Sequence, residues 1–141
     1  TLFDRPETVK IARRVVKKGG IKNINFIEGD FIHDNIGKGY DLIFASQILH
    51  SLSEKDNLYL LKKCKRALNK RGRIVIQEFR LLKDRAHPPQ GALFSVNMLV
   101  NTDGGRSYSA DEMKSWLSKT GFRKIQEKLM AEAVLIQALN P

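Results

Sequence analysis

Three carboxylates and one imidazole stand directly after short apolar runs. Asp4 follows Leu2-Phe3, Asp30 follows Phe26-Ile27-Glu28-Gly29, His50 lies just beyond Phe44-Ala45, and Glu78 ends Ile74-Val75-Ile76-Gln77. Runs of that length read as strands. In open α/β sheets, ligands bind beyond the carboxyl ends of the strands, where loops and helix N-termini converge. Acids gathered there can accept hydrogen bonds from the hydroxyls of a ribose, and an imidazole can exchange a proton near neutral pH. Each residue also has a structural reading. Asp4 can cap a helix opening at Pro6, with Glu7 three residues on, and this can coexist with ribose binding. Asp30 can serve a turn after Gly29. His50 can simply lie on the way into a helix before Ser53, and Glu78 can pair with an arginine such as Arg80. The functional reading requires all four to surround one hollow at one sheet edge.

Alternating apolar runs and helical patterns supply the elements that would hold them, the signature of an α/β domain with a parallel sheet. Residues 1–3 read as a strand end, followed by a helix over 6–18 with proline in its first turn and Gly19-Gly20 at its end. Strands are expected at 23–28 and 40–45, with Leu42-Ile43-Phe44 buried on both faces. Ser53-Glu54-Lys55-Asp56 caps a helix reaching about Asn69, and Gly72 turns the chain into a strand over 73–77. Residues 80–90, with Pro88-Pro89, read as a loop, and 91–100 as helical up to the break at Asp103-Gly104-Gly105. Ser109-Ala110-Asp111-Glu112 is a capping box for a helix to about Lys119. Strands at 122–129 and 133–139 lie too close together for a parallel crossover, so an antiparallel hairpin is expected.

The 141 residues are 42% hydrophobic and 28% charged, the composition of an ordered globular domain. No run approaches the roughly 20 apolar residues of a membrane span. The single Cys64 excludes an internal disulfide framework and a cysteine zinc cluster, and suits a reducing cytoplasmic setting. On the apolar side of its helix it reads as core, and His33 and His87 read as exposed or locally satisfied. No grouping has metal-ligand spacing, and there is no Gly-x-Ser-x-Gly elbow. The net charge of +10 raises nucleic acid as a partner. However, Lys10, Arg13, Arg14, Lys17 and Lys18 lie opposite Val9, Ala12, Val15 and Val16. Lys62, Lys63, Lys65, Arg66 and Lys70 likewise lie opposite Leu60, Leu61, Cys64, Ala67 and Leu68. Both read as solvated helix faces rather than base-stacking surfaces.

The order of the motifs resembles the class I S-adenosylmethionine-dependent methyltransferases, specifically the small-molecule O-methyltransferases that include the caffeate and acetylserotonin enzymes. The stretches that carry it are Phe3-Asp4-Arg5-Pro6, Glu28-Gly29-Asp30-Phe31, Tyr40-Asp41-Leu42-Ile43-Phe44 with Ile48-Leu49-His50-Ser51-Leu52-Ser53, Gly72 through Glu78, Asn97-Met98-Leu99-Val100, and Gly104-Gly105-Arg106-Ser107-Tyr108-Ser109. The terminal hairpin after Gly121-Phe122 follows in order, so the resemblance covers nearly the whole chain.

The resemblance implies a Rossmann-like methyltransferase sheet, mostly parallel with an antiparallel C-terminal hairpin, lacking the first strand and its glycine-rich loop. That strand would sit between the strands at 1–3 and 40–45, so residues 1–141 are expected to be part of a catalytic domain that binds cofactor weakly or not at all by itself. The implied cofactor is S-adenosylmethionine, with S-adenosylhomocysteine as product. Asp4 would bind its ribose, Asp30 and Phe31 its adenine, and Ser46 would be another cofactor contact. His50 would be the general base that removes the proton of a hydroxyl on a small, aromatic substrate, and Glu78 would orient the imidazole. Asn97, Met98 and Asn101 are expected on the substrate side. Ser107 stands where plant relatives carry a second carboxylate. Relatives dimerise through an N-terminal helical domain, which implies a homodimeric parent protein. The alternatives are an NAD-dependent dehydrogenase, whose ribose-binding acid also follows the second strand, and a non-catalytic basic RNA- or protein-binding domain of the same shape.

Overall fold

The computed structural model describes all residues, Thr1–Pro141, in two compact units, Thr1–Gly37 and Lys38–Pro141. In the first unit, strand β1 (Leu2–Asp4) pairs in parallel with β2 (Phe26–Glu28) across helix α1 (Pro6–Lys18). Pro6 and Glu7 suit the first turn of α1, and Lys17 and Lys18 suit its last, where they complement the helix dipole. The apolar face of α1 is narrower than its pattern suggests: Val9 is fully buried, whereas Val15 is mostly exposed. On the basic face, Arg13 lies over the Phe26 ring at 4.6 Å and pairs with Glu28 at 3.4 Å.

The second unit holds a four-stranded sheet in the order β3 (Tyr40–Ser46), β4 (Leu68–Phe79), β6 (Ala133–Leu139), β5 (Arg123–Leu129). β3 and β4 are parallel, and β6 is antiparallel to both β4 and β5. The expected α/β class and terminal hairpin are therefore present. Helices α2 (Glu54–Ala67), α3 (Pro89–Asn101) and α4 (Ala110–Lys119) complete the unit. Alternation along β4 and β6 buries Ile74, Ile76, Glu78, Val134, Ile136 and Ala138 on one face, with Leu60, Leu61, Met113, Trp116, Leu117 and Phe122 also in the core. Cys64 is buried with them, and burial pushes its thiol up to about 12. The capping box of α4 forms as expected, with Ser109 and Glu112 exchanging side-chain and backbone hydrogen bonds.

Three expectations are corrected. Leu42 and Phe44 are not buried: they are 57% and 56% exposed, because only the Ile43 side of β3 alternates inward and the opposite face is left open. Helix α2 stops at Ala67 and the next strand begins at once. The register then jumps from Tyr40 opposite Leu68 to Leu42 opposite Arg73, so residues 69–72 bulge out of β4. Gly72 belongs to that bulge, where a β-carbon would lie 2.9 Å from the Asn69 carbonyl oxygen. Helix α3 starts at Pro89, inside the segment expected to be loop.

Candidate active site

In the second unit, β3 ends at Ser46 and the chain turns through Gln47, whose φ of 57° lies in the left-handed region. The Gln47 N–H donates to the Gln77 carbonyl at 2.9 Å, which ties this turn to β4. The chain then forms one 3-10 turn, Leu49–Ser51, that carries His50. Leu49 is fully buried and anchors the turn.

Glu78, near the end of β4, is 3% exposed. Its Oε2 meets His50 Nδ1 at 2.7 Å, and its Oε1 accepts the N–H groups of Ile48 at 3.0 Å and Leu49 at 2.8 Å. One buried carboxylate therefore holds both the imidazole and the backbone that presents it. Charge-assisted hydrogen bonds of this kind are the stronger class, and they offset the cost of burying the acid. As a carboxylate, Glu78 can only accept, so the proton between the two belongs to His50 Nδ1 and Nε2 is left as the basic nitrogen. The alternative pairing of Glu78 with Arg80 does not form.

Aromatic rings wall the imidazole. Phe94 of α3 meets it edge-on at 4.7 Å between centroids, Phe79 lies at 6.4 Å, and the two phenyl rings are 4.4 Å apart. Phe94, Asn97, Met98 and Asn101 share one stripe of α3 by helical spacing. Asn101 Nδ2 donates to the backbone and side-chain oxygens of Asn97, both at 2.9 Å, so these two expected substrate contacts are bonded to each other along the helix. Met98 is half-buried beside them.

Two glycines let backbones approach closely behind this site. A β-carbon at Gly105 would lie 2.4 Å from the His50 carbonyl oxygen, and one at Gly91 would lie 2.1 Å from that of Arg80. Ser107 donates its hydroxyl to the Gly91 carbonyl at 2.8 Å, and its N–H goes to Ser95 Oγ at 3.1 Å. It fastens the Gly104-Gly105 loop to α3.

In the first unit, Asp4 ends β1 opposite Glu28, and its Oδ1 accepts the Arg5 N–H at 2.8 Å. The residue flanking α1 is Arg5 and no side chain caps the helix, so the capping role considered for Asp4 is not the one it plays. Asp30 follows β2. Its Oδ1 accepts the N–H groups of Ile32 at 2.7 Å and His33 at 2.9 Å, and those of His33 and Ile32 hold its carboxyl below the usual range. Asp30 is thus a turn residue, whatever else it binds. Its own N–H donates to Asp34 Oδ2 at 2.8 Å. The Gly29 N–H donates to the Asp4 carbonyl at 3.0 Å, which draws the two acidic segments together, and Phe31 packs against Phe3 at 5.3 Å. Two acceptor-rich acids at adjacent parallel strand ends, beside an aromatic pair, suit a sugar with vicinal hydroxyls joined to a flat base.

Sequence reasoning missed Phe79 and Phe94 as the walls around His50, and Asn57 and Tyr108 as supports of its turn. Asn57 had a visible signal, being a polar residue on the apolar stripe of α2 with Leu60, Leu61 and Cys64. Phe94 had a weaker one in its stripe with Asn97, Met98 and Asn101.

Comparison with known proteins gives a consistent family. The O-methyltransferase domain family matches residues 1–123. Acetylserotonin O-methyltransferase of Gallus gallus is 35% identical over 126 residues, covering 89% of this chain and 36% of the relative. The 3-hydroxy-5-methyl-1-naphthoate 3-O-methyltransferase of Streptomyces sahachiroi is 33% identical over 127 residues, again covering 89% and 36%. The crystal structure of human N-acetylserotonin methyltransferase in complex with SAM superposes with a TM-score of 0.84 at 32% identity, covering 97% of this chain and 39% of that one. The chain thus spans little more than a third of the length of the curated relatives it matches. On the family match and these identities, the chain belongs to the O-methyltransferase domain family.

Proposed function

We propose that the chain is part of the catalytic domain of an S-adenosylmethionine-dependent O-methyltransferase that acts on a hydroxyl of a small aromatic molecule. The observation that carries this reading is the 2.7 Å hydrogen bond between His50 Nδ1 and the buried carboxylate of Glu78, set against Phe79 and Phe94. The relatives named for hydroxylated aromatic acceptors, acetylserotonin and a hydroxynaphthoate, support the substrate class. The solved relatives described with SAM and with SAH support the cofactor.

Glu78 fixes the imidazole in the Nδ1–H tautomer, so Nε2 of His50 is the atom that takes the acceptor's hydroxyl proton. A protonated phenol is a weak nucleophile, and base assistance of this kind is worth about 100 to 10,000-fold in rate. S-adenosylmethionine, when bound, supplies an electrophilic methyl group and departs as S-adenosylhomocysteine. Asp4 would accept from its ribose hydroxyls. The Asp30 segment with Phe31 would hold its adenine, and Ser46 would be a further contact. Asn97, Met98 and Asn101 would face the methyl acceptor. The reading extends to a cytoplasmic setting, consistent with the lone buried Cys64, and to a homodimeric parent protein, as the family resemblance implies. No helix is long and apolar enough to cross a membrane.

The test is methyl transfer from labelled S-adenosylmethionine to a panel of hydroxylated aromatics, N-acetylserotonin among them, by the protein carrying this chain. His50→Ala should lower kcat by about 100 to 10,000-fold and leave cofactor affinity nearly unchanged. Unaltered turnover in that variant would refute the assignment of the base.

A further inference from the structure

We infer that Asn57 is a positioning residue for His50, acting through the backbone of the 3-10 turn; the inference rests on reading His50 as the proton acceptor. Asn57 lies on the apolar stripe of α2 and is fully buried. Its Nδ2 donates to the Leu49 carbonyl at 2.9 Å and to the Leu52 carbonyl at 3.3 Å. Those two carbonyls bracket His50, so one side-chain amide grips the turn on both sides of the imidazole. The Tyr108 hydroxyl donates to the same Leu52 carbonyl at 2.6 Å.

Packing alone does not account for this asparagine. Its Oδ1 is buried without a hydrogen-bond partner, an unmet acceptor that leucine or cysteine at the same place would not bury. The turn it holds also departs from regular structure. It begins after the left-handed Gln47, and Ile48 ahead of it has no side-chain cap. On the other side, Glu78 already fixes the amides of Ile48 and Leu49. Glu78 thus pins the turn's N–H groups and Asn57 its carbonyls. With both held, Nδ1 of His50 stays within reach of Glu78 Oε2. Releasing the carbonyls lets the turn rotate, and the imidazole loses its tautomer along with its bond.

The experiment reads the imidazole directly, without an acceptor substrate. The full 141-residue chain, labelled with 15N-histidine, is examined by NMR for the His50 tautomer and for the hydrogen-exchange rate of its Nδ1 proton. Asn57→Leu keeps the branched shape and removes both hydrogen bonds. Asn57→Ser stays polar but is too short to bridge two carbonyls. Cys64→Ala, on the same buried stripe and away from the turn, is the control for general loosening of α2. In the Asn57 variants, Nδ1 exchange should accelerate about tenfold, the order expected for loss of one buried hydrogen bond, and the Nε2–H tautomer should appear. Cys64→Ala should leave both readouts within about twofold of the unsubstituted chain. Unchanged exchange and tautomer in a folded Asn57 variant, or an equal change in Cys64→Ala, overturns the proposal. So does failure of both Asn57 variants to fold while Cys64→Ala folds, because Asn57 would then be a general folding residue. Persistence of turnover in His50→Ala is a separate result: it removes the base reading and leaves the measured coupling of Asn57 to His50 standing.

Discussion

Glu78 and His50 are joined at 2.7 Å from Oε2 to Nδ1, and the other oxygen of the same carboxylate holds the amides of Ile48 and Leu49. The acid therefore orients the ring and anchors the segment bearing it. Glu78→Gln should separate these roles. A glutamine oxygen can still accept the two amides, but its NH₂ would then face Nδ1, which favours the wrong tautomer. Turnover should fall about 100-fold or more with only a small change in Tm. A large loss of Tm with kcat unchanged would show that Glu78 is mainly a structural anchor.

Gly105 packs against the back of the same turn. Its missing β-carbon leaves room for the His50 carbonyl and for Thr102 Oγ1, each 2.4 Å from where that carbon would be. The first of these is backbone and cannot swing aside. Gly105→Ala should therefore destabilise the protein by about 1–3 kcal/mol through overpacking, seen as a lower midpoint in urea. Because the strain falls on the carrier of His50, turnover should fall further than the stability loss explains. A midpoint within experimental error of the parent would mean that the loop shifts at no cost.

Acid stability should depend on four carboxylates held below their usual range, Asp84 among them through the Ala86 amide and the His87 side chain. His33 and Ile32 amides lower Asp30, and Lys114 and Lys83 bring Asp111 to about 2. Burial alone would raise Glu112, but the Arg106 guanidinium at 2.7 Å and the Ser109 donors more than offset it. A depressed folded pKa gives stability that is complete above the ordinary values of 3.8 and 4.5 and is lost as pH falls through the folded ones. Tm should therefore be level above about pH 5 and decline below about pH 4. Glu112→Gln should lower Tm near neutrality and converge with the parent in acid, where Glu112 is protonated anyway. A constant difference across the range would exclude linkage through this group.

The sequence made some of this legible and hid the rest for identifiable reasons. Caps and period-2 alternation are local, so the Ser109 capping box and strand β6 were found to the residue. Glu78 is legible as a strand-end acid, and its pairing with His50 only through the family resemblance: residue types alone leave Arg80 open, because the choice requires the register of β3 against β4. The bulge over residues 69–72 hid the start of β4, because the chain passes from helix to strand without a break in polarity. The role of Asn57 is not legible because its helical stripe reads as packing, and only the carbonyls of Leu49 and Leu52 give it a task. For Asp4 and Asp30, spacing placed them at strand ends, while the backbone amides that each accepts depend on turn geometry.

The edge strand β3 supplies the last expectation. Leu42 and Phe44 stand in register with Arg73 and Val75 on the face of β3 away from the buried side, and both are more than half exposed. An apolar edge strand offers unpaired backbone groups beside sticky side chains, which is a template for pairing with another chain. The 141-residue chain should therefore self-associate with rising concentration, detectable by light scattering. A charge on that face works against pairing without touching the core, since Ile43 is the residue that alternates inward. Phe44→Lys should shift the population toward monomer and leave Tm within about 0.5 kcal/mol equivalent, as for a surface substitution. If the parent chain is monomeric at high concentration, or if the variant associates as strongly, then β3 is not the adhesive edge and association has another source.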